Sequence, residues 1–600
     1  MRSQALLVGL GDSSFKQLPC VSTCLSHEHP AACSCSNAQV ACRTNILQIS
    51  CGRTASVALV SCPTAEDDSS DKHPTRLLQW GTGLYGEKLS LPATPLARIT
   101  PGGAASKDVG DETLGPEHPA QIFSPLVAGE VVRLIACGAH FVVASVANGG
   151  CITWGGDGRR ELRTLGRGSC DINSCQSCQS SNLASSQPAD SSSASSATGA
   201  GAKPGWVAPP FGPRGLVVTA LAAGDDHTIA ASADGRAWAW GRGDCGQLGS
   251  RPTVEHRTAD GGGSCVPTMV ELSVRGETTP TTPADVGIQA VACGRDHSAL
   301  LTEDGRLLTF GSGLYGQLGL GTVGTNTWVP TAVDALDGVG TMRPDGSFTG
   351  IASVACGAWH TAALSTTGDV YAWGWARFGA LGSMPGDDFN PVSHNMGALK
   401  AQDGDGGGAG GSKRKRKLRV ALTKEGEGAE VRPYPGLVDG LESLLSEDDQ
   451  ITTVSCGARY TLALSLKKRA YVWGQVAPFL DGDREDDDRR CIGSGGSSPS
   501  AFARPRQLHP AELVRAAREA ASREKERCCC NCSHHGEDTG PPVDGGCNET
   551  CRGVEGEGSL RWSICTAGCG PWYVVLGLQE ETGQFQSCSH RKFRTARQLS

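Results

Sequence analysis

Two cysteine-rich stretches hold the residues of this chain that could bind a metal ion. Residues 528–535 contain four cysteines and two histidines, and Cys547 and Cys551 follow, so the donors suffice for a tetrahedral zinc site. The shorter stretch contains Cys170, Cys175 and Cys178. Adjacent ligands in one run cannot easily surround a single ion, and neither stretch has two well-spaced Cys-x-x-Cys pairs. We therefore expect neither a metal site nor a cofactor.

The sequence also lacks the arrangements of residues that are typical of bond-making catalysis. A phosphate-binding glycine loop needs a strand before it and a helix after it, and the many Gly-x-Gly pairs of this chain lack that context. No hydrolytic triad and no pair of carboxylates suited to acid–base catalysis stands out. We therefore predict a protein that is not an enzyme, with nucleotide exchange as the one activity left open.

A basic run stands out from an otherwise acidic chain. Lys413, Arg414, Lys415, Arg416 and Lys417 follow a glycine-rich stretch and resemble a nuclear import signal; nucleic-acid contact and a solvated charge run are the alternatives. The formal net charge of -8 and the pI near 6.0 give the whole molecule no attraction to nucleic acid or anionic membranes. We expect a protein of the nucleus, the cytoplasm or both, with direct nucleic-acid binding limited to this run.

Hydropathy and cysteine usage indicate a soluble protein in a reducing compartment. No apolar segment approaches the roughly 20 residues that a membrane-spanning helix requires. The 27 cysteines come without a convincing secretory signal, so free thiols are the simplest interpretation. We expect no membrane partner.

An internal repeat along almost the whole chain must position any binding residues. Its clearest copy starts at Cys293, continues through His297 and an Asp-Gly turn, and ends with Gly-Gln-Leu-Gly at residues 316–319. Alignment of the copies gives seven anchor glycines, which are Gly52, Gly138, Gly224, Gly294, Gly357, Gly457 and Gly570. Because an alternating apolar run follows each anchor, we predict that each unit is a small antiparallel sheet.

The two ends of the chain complement each other. The unit around Gly570 lacks the second half of the repeat, and the first residues of the chain, as far as Phe15 and Leu18, supply a matching segment. We predict that residues 1–18 complete the last sheet with residues 562–580, which closes residues 1–600 into a single ring and removes two unpaired sheet edges. We expect the ring to carry disordered inserts, which are a Ser/Cys-rich insert at 167–210, a Gly-rich and basic insert at 386–435 and a charged and Cys-rich insert at 481–558, followed by a tail at 581–600.

Two kinds of position separate when the units are aligned on their anchors. Three residues after the anchor stand Ala55, Phe141, His227, His297, His360, Tyr460 and Tyr573, mostly rings that we interpret as half-buried packing residues with a satisfied polar tip. The two positions before the ring vary, which is typical of a partner-binding surface on a fixed frame. The candidate partner-binding residues at these positions are Asp225, Asp226, Arg295, Asp296, Trp359, Arg459 and Trp572. They predict an acidic sector and a Trp/Arg sector, with an ordinary solvated rim as the alternative.

The repeat resembles that of the regulator of chromosome condensation family, whose members form seven-bladed β-propellers. Its best copies are residues 216–250, 287–321 and 350–383, and Gly-Gln-Leu-Gly recurs at 246–249 and 316–319. The resemblance implies an all-β seven-bladed propeller of this repeat type, closed by the N-terminal strands. Family members include chromatin-bound nucleotide exchange factors for the Ran GTPase, plant ultraviolet-B photoreceptors and adaptors, so the fold alone does not define the function.

Two functions are compatible with this resemblance. The first is a protein–protein interaction module or regulator that binds another protein through the loop face of the repeats. The alternative is a guanine-nucleotide exchange factor for a small Ran-like GTPase, associated with chromatin; in such exchange factors acidic loop residues contact the GTPase, and Asp226 and Asp296 are compatible with that role. The inserted wedge with which the family exchanges nucleotide has no counterpart that the sequence identifies. The photoreceptor motif Gly-Trp-Arg-His-Thr does not occur either.

Overall fold

Each repeat unit forms short antiparallel strands because glycine turns interrupt its apolar runs. Gly235 and Gly305 adopt φ values of +81° and +89°, which glycine reaches without strain, so the chain reverses at the predicted turns. A computed structural model of the 600-residue chain describes residues 5–11, 23–24, 45–61, 75–81, 120–123, 131–155, 164–168, 205–250, 262–272, 287–344, 346, 348–376, 378–382, 431–475, 504–510 and 562–580. The described residues form seven four-stranded sheets, which we call blades 1 to 7.

Every blade repeats the same order of strands from the inside of the ring outward. The first strands are β3 (Asn45–Cys51), β7 (Val132–Cys137), β11 (Val218–Ala223), β15 (Ile288–Cys293), β19 (Ile351–Cys356), β23 (Ile451–Cys456) and β27 (Trp562–Cys569). The second strands are β4 (Ala55–Ser61), β8 (Phe141–Val146), β12 (His227–Ser232), β16 (His297–Thr302), β20 (His360–Ser365), β24 (Tyr460–Ser465) and β28 (Tyr573–Glu580). Each first strand contacts the first strands of both neighbouring blades, so these strands form the innermost ring.

The third and fourth strands build the outer half of each blade. The third strands are β5 (Thr75–Gly81), β9 (Cys151–Gly155), β13 (Ala237–Arg242), β17 (Leu307–Gly311), β21 (Val370–Trp375), β25 (Ala470–Gly474) and, in blade 7, β1 (Ala5–Gly11). The fourth strands are β6 (Ala120–Phe123), β10 (Gly205–Trp206), β14 (Gly263–Met269), β18 (Thr327–Ala332), β22 (Val431–Leu437), β26 (Arg506–Leu508) and, in blade 7, β2 (Thr23–Cys24). Because the strands alternate in direction, the first-to-second-strand loops and the third-to-fourth-strand connections share one side of the ring, the loop face.

The hydrophobic core lies between neighbouring blades. The second strands β12, β16, β20 and β24 are buried at every position, because a blade covers each side of them and the usual alternation of buried and exposed residues disappears. Leu462 of blade 6 and Leu576 of blade 7 share one such cluster. Trp373 of blade 5 packs into the cluster with blade 4, and its indole N–H donates to the carbonyl of Gln317 there at 2.9 Å. Stability therefore depends on contacts that only the complete ring supplies.

The N-terminal strand closes the ring, as the sequence predicts. β1 pairs with β28 in antiparallel register from Ala5 opposite Gln579 to Gly11 opposite Tyr573, and Leu7 is fully buried there. β2 continues the same sheet beyond residue 18, where the predicted segment ended. Phe15 and Leu18 lie outside the described residues.

The fourth strands correct the predicted limits of the three inserts. β10 lies within 167–210, β22 begins within 386–435 and β26 lies within 481–558, so each range contains an outer strand of a blade. β10 and β26 have only two and three residues, and the longer β22 contains two prolines, which an edge strand tolerates and which hide the strand pattern in the sequence. The two cysteine-rich stretches weighed as zinc donors, the basic run 413–417 and the tail 581–600 lie outside the described residues. In the part of the chain that the structure describes, no helix could cross a membrane.

Candidate partner-binding face

The anchor glycines let neighbouring blades meet around the centre of the ring. In blade 4 the amide of Gly294 donates to the carbonyl of His297 at 2.8 Å and closes the loop between β15 and β16. A methyl group at Gly294 would lie 2.2 Å from Cε1 of His297 and 2.4 Å from the carbonyl oxygen of Gly357, the anchor of the next blade. Gly224 and Gly357 have equivalent surroundings. Any larger residue would therefore push its own loop away from the next one.

The rings that follow the anchors connect the blades by buried hydrogen bonds. Nε2 of His227 lies 2.9 Å from the hydroxyl of Ser298 in the next blade, and that hydroxyl donates to the carbonyl of Gln247 at 2.9 Å. Since this hydroxyl already donates its proton to Gln247, it can only accept from the histidine, so Nε2 of His227 is protonated and donates to Ser298. Equivalent pairs join His297 to Thr361 and His360 to Thr461. The predicted packing role of this column is confirmed, but the expected half-burial is wrong, because the rings are buried completely. Nδ1 of His227 and of His297 has no hydrogen-bond partner among the described residues, so the satisfied polar tip of these two rings is Nε2 alone.

These buried histidines predict a pH-dependent stability. Burial lowers the pKa of His227 and His297 to about 3 and that of His360 to about 4, whereas an unfolded histidine titrates near pH ~6.5. Below that pH the unfolded chain therefore binds more protons than the folded chain. As the pH falls, each of these histidines lowers the free energy of unfolding by about 1.4 kcal/mol per pH unit, until its pKa in the folded state is reached.

The measurement is urea denaturation between about pH 6.5 and pH 5, above the range in which most carboxylates titrate. His297→Gln should reduce the slope by the contribution of one histidine, while the exposed His509→Gln serves as the control and should leave it unchanged. An unchanged slope in His297→Gln would contradict the neutral, buried state of this ring.

The loops of blades 1, 3 and 4 bring charged residues into an Asp–Arg sector. Asp225 accepts from Arg53 at 2.7 Å and lies 3.7 Å from Arg295, while Arg295 also lies 3.4 Å from Asp296. Arg242 approaches three carboxylates, those of Asp226 at 3.6 Å, Asp244 at 2.6 Å and Asp296 at 3.5 Å. The network therefore runs without interruption across the loop face.

This network corrects the predicted acidic sector. Burial raises the pKa of Asp225 and Asp296, and the neighbouring arginines act in the opposite direction. Four aspartates share three arginines, so the sector is close to neutral. Partly exposed ion pairs of this kind contribute only about 0–1 kcal/mol each. A partner meets paired and oriented charges here, with little net attraction for a basic protein.

Blades 4 to 7 place an aromatic–Arg sector beside the Asp–Arg sector. Trp375 stacks on Tyr315 with ring centroids 4.8 Å apart and packs edge-on against Trp359 at 5.1 Å and Phe378 at 4.9 Å. Cζ of Arg459 lies 3.9 Å from the Phe378 centroid and 4.7 Å from that of Trp572. Arg295 joins the two sectors, because its Cζ lies 5.7 Å from the Trp359 ring. All seven predicted binding residues thus lie on one continuous surface.

Sequence reasoning missed a third column of this surface, the residue after the aromatic-Gly pair. Trp375 and Arg242 occupy it, and backbone hydrogen bonds of 2.9 Å to Trp359 and 2.8 Å to Asp226 fix them beside the anchor loops. Gln475 stands at the same position in blade 6. Alignment of the units on the second repeat glycine, at Gly241 and Gly374, would have shown that the residue after this glycine varies from unit to unit.

The thiols at the ends of the first strands are packing groups. Burial raises the pKa of Cys293 to about 12, and that of Cys137 equally, so both remain protonated at neutral pH. Cys137 donates to the carbonyl of Ser50 in the neighbouring blade at 3.3 Å. Within the described ranges no group of three or more His, Cys, Asp or Glu side chains is arranged to hold a metal ion.

The closed ring and its loop face define a class of protein, the seven-bladed repeat propeller whose strands supply packing and whose loops supply a binding surface. Models of the regulator of chromosome condensation (RCC1) repeat match residues 234–301 and 304–364, and residues 218–247, 288–317 and 351–380. Residues 218–380 of the chain thus carry repeats similar to those of the RCC1 family.

This chain is similar to proteins that carry several different names. Ultraviolet-B receptor UVR8 of Arabidopsis thaliana is 29% identical over 286 residues, which cover 46% of this chain and 57% of that protein. The regulator of chromosome condensation of Homo sapiens is 29% identical over 301 residues, which cover 45% of this chain and 63% of that protein. The chain thus spans less than two thirds of the length of these relatives. The crystal structure of Prp20p from Saccharomyces cerevisiae shows the same fold, with a TM-score of 0.51, 17% identity, and coverage of 97% of this chain and 93% of that chain.

Proposed function

We propose that this protein is an interaction module or regulator that binds another protein through its loop face. The observation that supports it is the union of the Asp–Arg and aromatic–Arg sectors into one surface of partly exposed side chains. Trp, Tyr and Arg dominate the energetics of many protein interfaces, and rings that are already packed lose little freedom on binding. The structural frame lies beneath this surface, so loop residues can vary without loss of the fold.

A charge reversal on the loop face tests this function. In the double variant Asp226→Lys and Asp296→Lys, two lysines replace carboxylates that pair with Arg242 and Arg295. We expect proximity labelling in cells to recover specific partners at least tenfold less efficiently, since the loss of about 2 kcal/mol at an interface hot spot exceeds that factor.

The matched control makes the same changes on the other side of the ring, with Asp234→Lys and Asp304→Lys in the second-to-third-strand turns. These aspartates also form ion pairs, with Arg236 and Arg306. The control should keep the partner list of the unmodified protein. An unchanged list in the loop-face variant would rule out this face.

A second candidate function is nucleotide exchange on a small Ran-like GTPase. The similarity of residues 218–380 to RCC1 repeats favours it, and so does the similarity in fold to Prp20p, a protein with binding properties toward Gsp1p and histones. The pairing of Asp226 and Asp296 with arginines weakens the electrostatic reason for it. Stimulated release of a fluorescent nucleotide from a loaded GTPase by the purified protein would establish exchange, and unchanged release across several small GTPases would exclude it for them.

The basic run 413–417 supports a nuclear location for this module, in agreement with the chromosomal names of its relatives. Replacement of its five residues by alanine should move a fluorescent fusion protein from the nucleus to the cytoplasm. The control replaces Arg504 and Arg506 of blade 6 and should leave the distribution as it was. Nuclear accumulation of the alanine variant would show that the run is not the import signal.

A further inference from the structure

Arg459 places its guanidinium among three aromatic rings of the loop face. Its Cζ lies 3.9 Å from the centroid of Phe378, 4.7 Å from that of Trp572 and 5.9 Å from that of Trp359. Contacts of this kind restrict the motion of the guanidinium, whose planar fork of N–H groups matches the geometry of a carboxylate. The three rings are only partly buried. The aromatic–Arg sector therefore offers apolar contact area together with an oriented cation.

The connection between β25 and β26 starts at this sector. The amide of Gln475 donates to the carbonyl of Arg459 at 2.9 Å, and its side chain accepts from Nη1 of Arg459 at 3.2 Å. The chain returns to the same blade at β26, so residues 476–503 are tethered to blade 6 at both ends. The connection belongs to the loop face because it joins a third strand to a fourth strand.

This connection carries an acidic run. Its carboxylates are Asp481, Asp483, Glu485, Asp486, Asp487 and Asp488. The run begins six residues after Gln475, and six extended residues span about 20 Å, several times the spacing between the rings of the sector. The Asp–Arg sector already has more carboxylates than arginines and does not attract an acidic segment. The aromatic–Arg sector holds the guanidinium of Arg459 among its rings and lies within reach.

We infer that the aromatic–Arg sector is a docking site for an acidic peptide, and that its resident occupant is the run 481–488 of the same chain. Tethering gives such a segment an effective concentration of the order of millimolar, so a weak contact suffices to keep the site filled. Trp359, Arg459 and Trp572 of this docking site are also part of the proposed binding face. The effect on partner binding rests on the proposed function, whereas the docking itself rests on the geometry and charge of the sector.

A peptide added in trans tests the inference without knowledge of a partner. The probe is a fluorescently labelled peptide of residues 479–490, and the receptor is the full chain in which the six carboxylates of its own run are made neutral while Arg484 is kept. The neutral-run variant carries Asp481→Asn, Asp483→Asn, Glu485→Gln, Asp486→Asn, Asp487→Asn and Asp488→Asn. We expect the peptide to bind this variant, and to bind the unmodified chain at least about tenfold more weakly, because the tethered run competes.

Two further variants, made in the neutral-run background, identify the site. Arg459→Gln should weaken binding of the peptide roughly tenfold or more, since a charge-assisted contact and its stacking are lost. Arg459→Lys keeps the charge and should recover only part of the affinity. Arg306→Gln, in a turn on the other side of the ring, is the control and should not change it. Intrinsic tryptophan fluorescence and thermal melting confirm that each variant is folded.

If the peptide binds the unmodified and neutral-run proteins with equal affinity, the run 481–488 is not the resident occupant. If Arg459→Gln leaves the affinity of the peptide unchanged, the aromatic–Arg sector is not the docking site. The proposed function fails by a different measurement. If the Asp226→Lys and Asp296→Lys variant loses its partners but the neutral-run protein does not bind the peptide, only the docking inference fails. Peptide binding at Arg459 with an unchanged partner list removes the partner-binding function and leaves the docking site.

Discussion

Replacement of Gly294 by alanine should lower the free energy of unfolding by about 3 kcal/mol, the upper end of the usual cost of overpacking. Gly294 does not have a positive φ, so the cost comes from steric overlap of the added methyl group with its neighbours. The new methyl group would meet Cε1 of His297 at 2.2 Å and the carbonyl oxygen of Gly357 at 2.4 Å. The second contact is with the backbone of the next blade, which cannot move without disturbing the ring. Urea denaturation followed by tryptophan fluorescence measures the change.

Gly440→Ala separates the steric cost from a backbone cost. Gly440 has a φ of +83° and nothing within 4 Å of an added methyl group, so alanine there should cost only the 1–2 kcal/mol, roughly, of a left-handed conformation. Combining Gly294→Ala with His297→Ala should cost less than the sum of the two single changes, because the double variant removes one of the clashes. Equal effects at Gly294 and Gly440 would contradict the close contact between anchors.

Removal of residues 1–11 should have the largest effect on this protein. β1 pairs with β28 at seven positions and buries Leu7 completely. Its loss exposes the edge of β28 and the core between blades 7 and 1, and Leu7→Ala alone should cost about 2–5 kcal/mol. Since whole domains are stable by only about 5–15 kcal/mol, we expect the truncated chain to lose its cooperative thermal transition.

Addition of the missing strand in trans distinguishes ring closure from general damage. A synthetic peptide of residues 3–14 should restore the transition in a concentration-dependent way, as any ligand that binds only the folded state does. Leu466→Ala is the control for Leu7→Ala, because Leu466 is 50% exposed and should contribute little. A truncated chain that melts like the full chain would show that the ring is stable when open.

Much of the fold could be predicted because the repeat encodes it locally. Gly294, His297 and the Asp-Gly turn at 304–305 mark the loop, the buried ring and the reversal of a single blade, and the same three signals recur. The fourth strands could not be predicted in this way. β10 and β26 have two and three residues, and they are defined by pairing with a third strand that lies far away in the sequence.

The candidate face was only partly predictable for a related reason. The columns before the rings pointed to Asp225, Asp296 and Trp359, but the pairing of Asp225 with Arg53 joins residues that are 172 positions apart. Side-chain spacing along one unit contains no information on which unit is its neighbour across the ring. The near neutrality of the Asp–Arg sector is therefore a property of the closed ring.

The sequence by itself determined the number of units, the buried column and the closure by the N-terminal strand, because local turn chemistry and apolar alternation specify each sheet and the broken last copy has one complement. Only the tertiary structure decided which loop side chains touch. Stacking of Arg459 on Phe378 and Trp572, and the link through Arg295 between the two sectors, require blades to stand side by side at a fixed angle. That geometry arises from packing between blades, which no single repeat contains.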